Sequence, residues 1–434
     1  MTPEQMLALG GAFAVYLRIF SGCFVRSESF DHFNDYCRGL LSDLPRKSVE
    51  PIALLSGVFV RTLQLFLTNH VWDHTLMLNL FQLYLTRLAV MALPNDLGTI
   101  GVIDETSVVK KGKQTPGVQR QYCGAVGKIE NCIVTVHLGI VRGWFKTLVD
   151  ATLFLPKAWS DDRQRCRRSQ IPDDVVYRPK WRIAIEQLDR ACHNGIIMNW
   201  LTFDEYYGGK PAFLEDLDQR PGMYFVGEIP RNFRCLTRRP RSTKSTKRLR
   251  GKRVDNLTRF SPTFHQTDWQ TMSLARMTLN NQEWEVRAGQ VYLIRRGVVT
   301  DRTYWLIVAR NVATGEMKYF LSNAPVTETI ERLLRVAFSR WNVEHAFRVV
   351  KTEIGFGHFE GRSYIGLQRH MTLCLIVMGF IAEHTNRLRG EKPRDHDGAS
   401  VPGDEPEVRS LPPKPPRHDG PGTRREHDPV SSAA

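Results

Sequence analysis

The chain has 434 residues, 42% of them hydrophobic, which is ordinary for a globular protein and enough for two or three domains with sizeable cores. A formal net charge of +15 and a pI near 9.6 favour a polyanionic partner, nucleic acid or a membrane surface. The best apolar run, residues 371–382, is too short to span a bilayer, and no basic stretch precedes the apolar N-terminus, so neither a membrane anchor nor a signal peptide is expected. Eight scattered cysteines form no Cys-x-x-Cys pair, which argues against a zinc or redox site and fits a reducing cytoplasm.

Residues 1–95 read as a helical domain, because apolar positions recur at intervals of three and four. Within it, PRKSVEPIALLSGVFVRTLQLFLTNHVW reads as a helix over 48–55, a turn at Ser56-Gly57 and a second helix from Val60. That outline is compatible with a DNA-reading helix-turn-helix, and equally with any helix pair joined at a glycine.

From Gly98 the period changes. GTIGVID is an apolar run read as a buried strand ending in Asp104, followed by a basic loop with Lys110, Lys111, Lys113 and Arg120. CIVTVHLGIV and LVDATLFLP read as strands, then PKWRIAIEQLDRACHNG as a helix closed by Gly195. GIIMNWLTFD reads as another strand ending in an aspartate, Asp204; a helix (KPAFLEDLDQR) and a strand (222–229) follow. Hairpin-linked strands followed by strand–helix alternation imply an α/β core with a mixed sheet, first part 96–229.

Residues 231–253 hold eleven Lys or Arg and no acid, a block suited to a phosphate backbone or to a solvated loop. It includes Arg238, Arg239 and Arg241 and opens a β-rich insertion over 230–322. Helical periodicity returns over 326–352 and again over 366–388, so 323–388 reads as the C-terminal part of the core. The Pro-, Asp- and Arg-rich tail, 389–434, cannot bury apolar surface and is expected to be disordered.

One stretch, RWNVEHAFRVVKTEIG, sets Glu344 among Arg340, Arg348 and Lys351 at helical spacing. Taken alone it is a charge-paired helix face or a metal-binding carboxylate flanked by phosphate-binding cations. Asp104 and Asp204, at strand ends, project into the crevice where α/β sheets place ligands, and Glu344 on a packed helix completes an acidic trio. Three carboxylates in one pocket repel one another and call for hard divalent cations with oxygen ligands. Two such ions, about 3.5–4 Å apart, support phosphoryl transfer. Against this, strand-end aspartates often only cap turns. Asp150, Asp161, Asp162, Asp173 and Asp174 are rival acids, set aside because Asp150 lies in a mid-sheet alternation and the others in a polar connection.

Three blocks carry a resemblance to the DDE transposases of bacterial insertion sequences: GVIDETSVVKKGKQTPGVQRQYCGAVGKIENC, NWLTFDEYYGGKPAFLEDL and RWNVEHAFRVVKTEIGFGHFEGRSYIGLQRHMTLC. The third matches a Tyr-x2-Arg-x3-Glu-x6-Lys signature at Arg340, Glu344 and Lys351, with Ala337 in place of the tyrosine; the second departs at Glu205-Tyr206-Tyr207. The resemblance, over residues 30–385, implies a ribonuclease H-like mixed sheet flanked by helices. It implies Asp104, Asp204 and Glu344 as catalytic ligands of two Mg2+ (or Mn2+) ions, with Arg340 and Lys351 on DNA. Arg348, Lys110, Lys111, Lys113, Arg238, Arg239 and Arg241 are further expected phosphate contacts. The implied partners are double-stranded DNA, as terminal inverted repeats and as target, and a second copy on DNA, in the bacterial cytoplasm at the nucleoid. Related proteins with such an insertion form a hairpin intermediate and stack an aromatic on a flipped base; Trp305 is a candidate, with a strand-core tryptophan as the alternative. A catalytically silent DNA-binding descendant and a structure-selective nuclease are the competing readings.

Overall fold

The structure, a computed structural model, is described over residues 3–240, 250–265, 267–273 and 283–390; the side chains of 3–8, 273, 342–347 and 389–390 lie outside the description. Outside it too are residues 241–249 of the basic block, Arg241 among them, and the tail beyond residue 390 for which disorder is expected.

Helices α1 (Pro3–Arg18), α2 (Ser27–Leu41), α3 (Val49–Ser56), α4 (Val60–Thr68) and α5 (His74–Thr86), with the short α6 (Ala89–Ala92), form the N-terminal part. Their apolar stripes meet through Leu17, Phe20, Phe33, Tyr36, Ile52, Leu63, Phe66 and Phe81, all fully buried. Asp73 caps α5, accepting from the amides of Thr75 (2.8 Å) and Leu76 (3.0 Å). Gly57 ends α3 at φ 68°, a left-handed conformation that glycine adopts without a Cβ clash. The helix–glycine turn–helix outline is therefore present, with Arg61 and Gln64 exposed on α4.

Strands β1 (Ile100–Val109), β2 (Gln119–Cys123), β3 (Lys128–Arg142) and β4 (Phe145–Leu153) follow. β3 pairs antiparallel with β1 on one edge and with β2 and β4 on the other. After α7 (Lys157–Ser160), α8 (Arg163–Arg168) and α9 (Lys180–His193), β5 (Trp200–Phe203) joins β1 in parallel. Gly195, just beyond α9, is left-handed at φ 85°, as its capping position predicts. Then come α10 (Glu205–Gly208), α11 (Pro211–Asp218) and β6 (Tyr224–Glu228), which is parallel to β5.

The β-rich stretch comprises β7 (Arg234–Cys235), β8 (Lys252–Arg253), α12 (Val254–Phe260), α13 (Pro262–His265), β9 (Gln270–Ser273), β10 (Glu283–Val291), β11 (Ile294–Arg295), β12 (Val298–Val299), β13 (Tyr304–Asn311) and β14 (Met317–Ser322). β14 pairs antiparallel with β6 and brings β13, β10 and β9 with it. Among the described residues ten strands thus form one sheet, in the order β2-β3-β1-β5-β6-β14-β13-β10-β9 with β4 on β3. The insertion extends the core sheet and closes the edge that β6 alone would leave open.

The helical pattern over 326–352 resolves into α14 (Ile330–Phe338) and α15 (Trp341–Thr352), separated at Ser339-Arg340. Ser339 Oγ donates to the Arg335 carbonyl at 2.7 Å, a back-bond of the kind that bends helices. The Trp341 ring turns onto Phe338, with centroids 4.7 Å apart. The last helix, α16 (Tyr364–Gly390), is longer than its central apolar run. Part of it is apolar and long enough to cross a membrane by composition, which corrects the reading that no segment comes close; 78% of that part is buried inside the protein, as in a core helix. It packs on β4, α5, α4 and α2.

Candidate active site

The parallel ladder of β1 and β5 pairs Ile100 with Trp200 through to Ile103 with Phe203. The next residue on each strand is an aspartate. Asp104 and Asp204 therefore stand side by side at the carboxyl end of the ladder, on backbones about 4.8 Å apart, where open α/β sheets hold ligands.

Asp104 was expected at the end of its strand. It ends only the parallel ladder: β1 runs on to Val109, because its antiparallel pairing with β3 continues from Asp104–His137 to Val109–Cys132. Asp204 does end β5, and it caps α10, its Oδ1 accepting from the amides of Tyr206 (3.0 Å) and Tyr207 (3.3 Å). The capping alternative is thus real, but it uses one oxygen. Burial, and after it the charge of Asp104, push the Asp204 carboxyl up to about 6; Arg340 and the two amides pull the other way.

Asp104 Oδ1 accepts from the Glu105 amide at 2.7 Å, and Oδ2 from Arg340 Nη1 at 3.0 Å, with both side chains largely buried. Half-buried Lys351 has its pKa lowered by burial, and the Asp104 charge works against that shift. His137, the cross-strand partner of Asp104, is fully buried and held neutral, its pKa lowered to about 3 by burial and then by Lys351. The sheet face under α15 thus gathers Asp104, His137, Arg340 and Lys351.

Glu344 lies on α15, which packs across β1 and β4. Its side chain is outside the described residues; its backbone position, seven residues before Lys351, falls on the same helix face. Arg348 is exposed on α15, and Lys111 and Lys113 are exposed on the loop after β1. Lys110 is different. Its ammonium donates to the carbonyls of Phe359 (2.6 Å) and Gly357 (3.2 Å), and burial lowers its pKa to about 8. Arg238 and Arg239 are exposed beyond β7, and Arg239 pairs with Asp301 at 2.7 Å. Trp305 is half-buried in β13 and spends its indole N–H on the Pro325 carbonyl at 3.0 Å.

Four of the five rival acids have other work. Asp150 is wholly buried and lies 3.5 Å from Arg190; Asp162 caps α8; Asp161 pairs with Lys157, and Asp173 with Arg163 and Arg167. Asp174 is exposed on the connection before α9.

One pair was missed. On the opposite face of β1, Glu105 Oε1 accepts from Lys180 Nζ at 2.7 Å. Burial raises the Glu105 pKa, Lys180 opposes this, and the Asp204 charge adds to it. The Tyr207 hydroxyl is buried nearby with no hydrogen-bond partner among the described residues. The position of Glu105 directly after Asp104 was the available signal; Lys180, at a helix start, carries none.

Among the described residues no three acids, histidines or cysteines are grouped to hold a metal. The two aspartates nevertheless suit a hard divalent cation: their donors are all oxygen, and their mutual repulsion raises the proton affinity of Asp204 in a way that a cation would relieve. A mixed sheet flanked by helices, with paired aspartates at the carboxyl end of its parallel strands, is the arrangement of a ribonuclease H-like core. A family model described as DDE superfamily endonuclease matches residues 19–292, more than half of the chain, and the chain belongs to that family. The matched stretch contains Asp104 and Asp204 and ends before Glu344. A probable transposase for insertion sequence element IS701 from Microchaete diplosiphon is 32% identical over 218 residues, 49% of this chain and 52% of the relative. The chain thus spans about half the length of the curated relative it matches.

Proposed function

We propose that this protein is a transposase that cuts DNA at the ends of an insertion sequence and joins the freed ends to target DNA. The observation that carries this reading is the side-by-side placement of Asp104 and Asp204 at the end of the parallel ladder, with the Asp204 carboxyl raised to about 6. Asp104, Asp204 and Glu344 would hold two divalent ions, Mg2+ or Mn2+. When bound, these supply Lewis acidity to the attacking and leaving oxygens of a phosphodiester. The chain's own groups do the rest. Arg340 leaves Asp104 for a DNA phosphate, to which its planar guanidinium binds in bidentate fashion. Lys351 neutralises charge beside Asp104, and the Tyr206 and Tyr207 amides keep Asp204 oriented. Acting on two element ends together calls for a second copy on DNA.

The test is a labelled duplex carrying the inverted repeat that flanks the gene, incubated with and without Mg2+, beside Glu344→Gln. Metal-dependent nicking at the element boundary, lost in Glu344→Gln while binding persists, is the expected result. Tight binding with no cleavage in Mg2+ or Mn2+ would instead make the protein a silent DNA-binding descendant. Nicking unchanged by Glu344→Gln would remove Glu344 from the site.

The raised Asp204 pKa also sets a pH dependence. Below about pH 6 a proton competes with metal for the carboxylate. Mn2+ affinity, followed by calorimetry, is expected to fall roughly tenfold per pH unit below that point and to level off above it. A flat affinity between pH 5 and 7 would take Asp204 out of the ligand set.

A further inference from the structure

Between α15 and α16 the chain forms a strap, residues 353–363, held from several sides. Buried Lys47 donates from Nζ to the carbonyls of Leu40 (2.8 Å) and Glu353, and its amide donates to His358 Nδ1 at 2.9 Å. Lys110 holds Gly357 and Phe359. Gly355 sits at φ 82°, and a Cβ there would fall 2.6 Å from the Lys47 Cβ, so only glycine fits against that lysine. The strap therefore joins the α3–α4 pair to the end of α15 as a fixed platform.

A hollow lies on each side of it. One, about 450 Å³, opens toward the loop after β1 and presents Arg46, Lys111 and Arg362. The other, about 550 Å³, opens toward α3 and α4 and presents Arg61 and Gln64. The two meet at Phe359, Glu360 and Arg362, which line both, and together they are taken as one grooved face across the strap, called the groove below. Its cations are Arg46, Arg61, Lys110, Lys111 and Arg362; its acids are Glu50 and Glu360. Lys110 is spent on carbonyls, and Arg46 is paired with Glu360 although both side chains are more than half exposed. An exposed pair of this kind contributes little to stability.

We propose that this groove takes the sugar-phosphate backbone of duplex DNA. Arg61, Lys111 and Arg362 are its phosphate contacts, and Glu360 is an internal phosphate surrogate that occupies Arg46 until DNA displaces it. The choice of DNA as the occupant rests on the transposase reading. Geometry supports it as well: β1 leads straight from Asp104 to Lys110, about 20 Å at about 3.3 Å per residue. That distance is about six base-pair steps, so a duplex cut at Asp104 would meet the groove about half a turn away.

The experiment measures binding of a labelled mixed-sequence duplex by fluorescence anisotropy across a salt series, in EDTA so that no chemistry intervenes. Arg61→Ala, Lys111→Ala and Arg362→Ala are each expected to weaken binding several-fold and to lower the slope of log affinity against log salt by about one. Glu360→Gln is expected to tighten binding about three- to tenfold, by freeing Arg46 and removing a repelling charge. Glu316→Gln, which removes an equally exposed carboxylate from the β13–β14 turn, should leave affinity unchanged. The gain in Glu360→Gln cannot arise from misfolding, so it keeps the test decisive if an alanine variant fails to fold. A triple variant with the wild-type slope, or identical effects of Glu360→Gln and Glu316→Gln, overturns the groove. A wild type that binds neither this duplex nor one carrying the flanking repeats overturns the transposase reading instead.

Discussion

Asp204→Asn is expected to lower DNA cleavage on the order of a thousandfold or more, and at the same time to stabilise the metal-free protein. Asparagine keeps the oxygen that caps α10, so the local fold is retained. It removes a buried charge that Asp104 repels. The folded-state pKa is raised, from 3.8 to about 6, so the folded protein holds this proton more tightly than the unfolded chain does. Stability from this group is then lost as pH rises from about 4 to about 6, and at pH 7 the ionised carboxylate costs roughly 2–3 kcal/mol. Urea denaturation in EDTA should show the variant more stable by that order at pH 7 and equal to wild type near pH 4. Added Mn2+ should stabilise wild type and not the variant. A variant less stable than wild type at pH 7 would mean that Arg340 and the two amides outweigh desolvation, and that Asp204 is a structural cap.

Arg369→Leu is expected to cost about 3–5 kcal/mol. The buried Arg369 guanidinium donates to four carbonyls: Phe66 (3.2 Å) and Leu67 (3.1 Å) at the end of α4, His70 (2.9 Å), and Trp72 (2.7 Å). It also lies over the Trp72 ring at 4.4 Å. A positive charge at a helix C-terminus is favourable, and here it also ties α4 to α16. Leucine would fill the space and leave those carbonyls without a donor. Burial lowers the Arg369 pKa only to about 10, so the residue is charged throughout the neutral range. Chemical denaturation reads the loss, and hydrogen exchange should place the largest rise in α4. Arg369→Lys should recover only part of the stability, since one ammonium cannot span four acceptors. A loss below about 1 kcal/mol would show that water replaces the guanidinium.

The Glu105–Lys180 pair bears on how such variants are read. Because it lies on the other face of β1 and still feels the Asp204 charge, changes there will reach the site indirectly. Effects on metal affinity at Lys180 are therefore expected to track the orientation of Asp204 rather than direct ligation.

Much of this protein is determined by sequence alone. Helical periodicity marked the N-terminal helices, Gly57 and Gly195 marked turns, and the run ending at Asp204 marked β5, because each depends on local torsions and on burial that repeats within one element. The three motif blocks identified the family, which the match over residues 19–292 shows. Other features arise only when distant segments meet. β1 continues past Asp104 because β3 supplies a partner as far as Cys132, and no pattern within GTIGVID encodes that pairing. The β-rich stretch joins the core sheet because β6 has an open edge for β14. The helix over 326–352 breaks where Ser339 bonds back to Arg335. Lys110 looks in sequence like its neighbours Lys111 and Lys113, yet it is half-buried and held by two strap carbonyls that lie 247 and 249 residues away in the chain. Side-chain type and spacing report what a residue can do locally; which partners satisfy a buried charge is decided by the tertiary contacts that bury it.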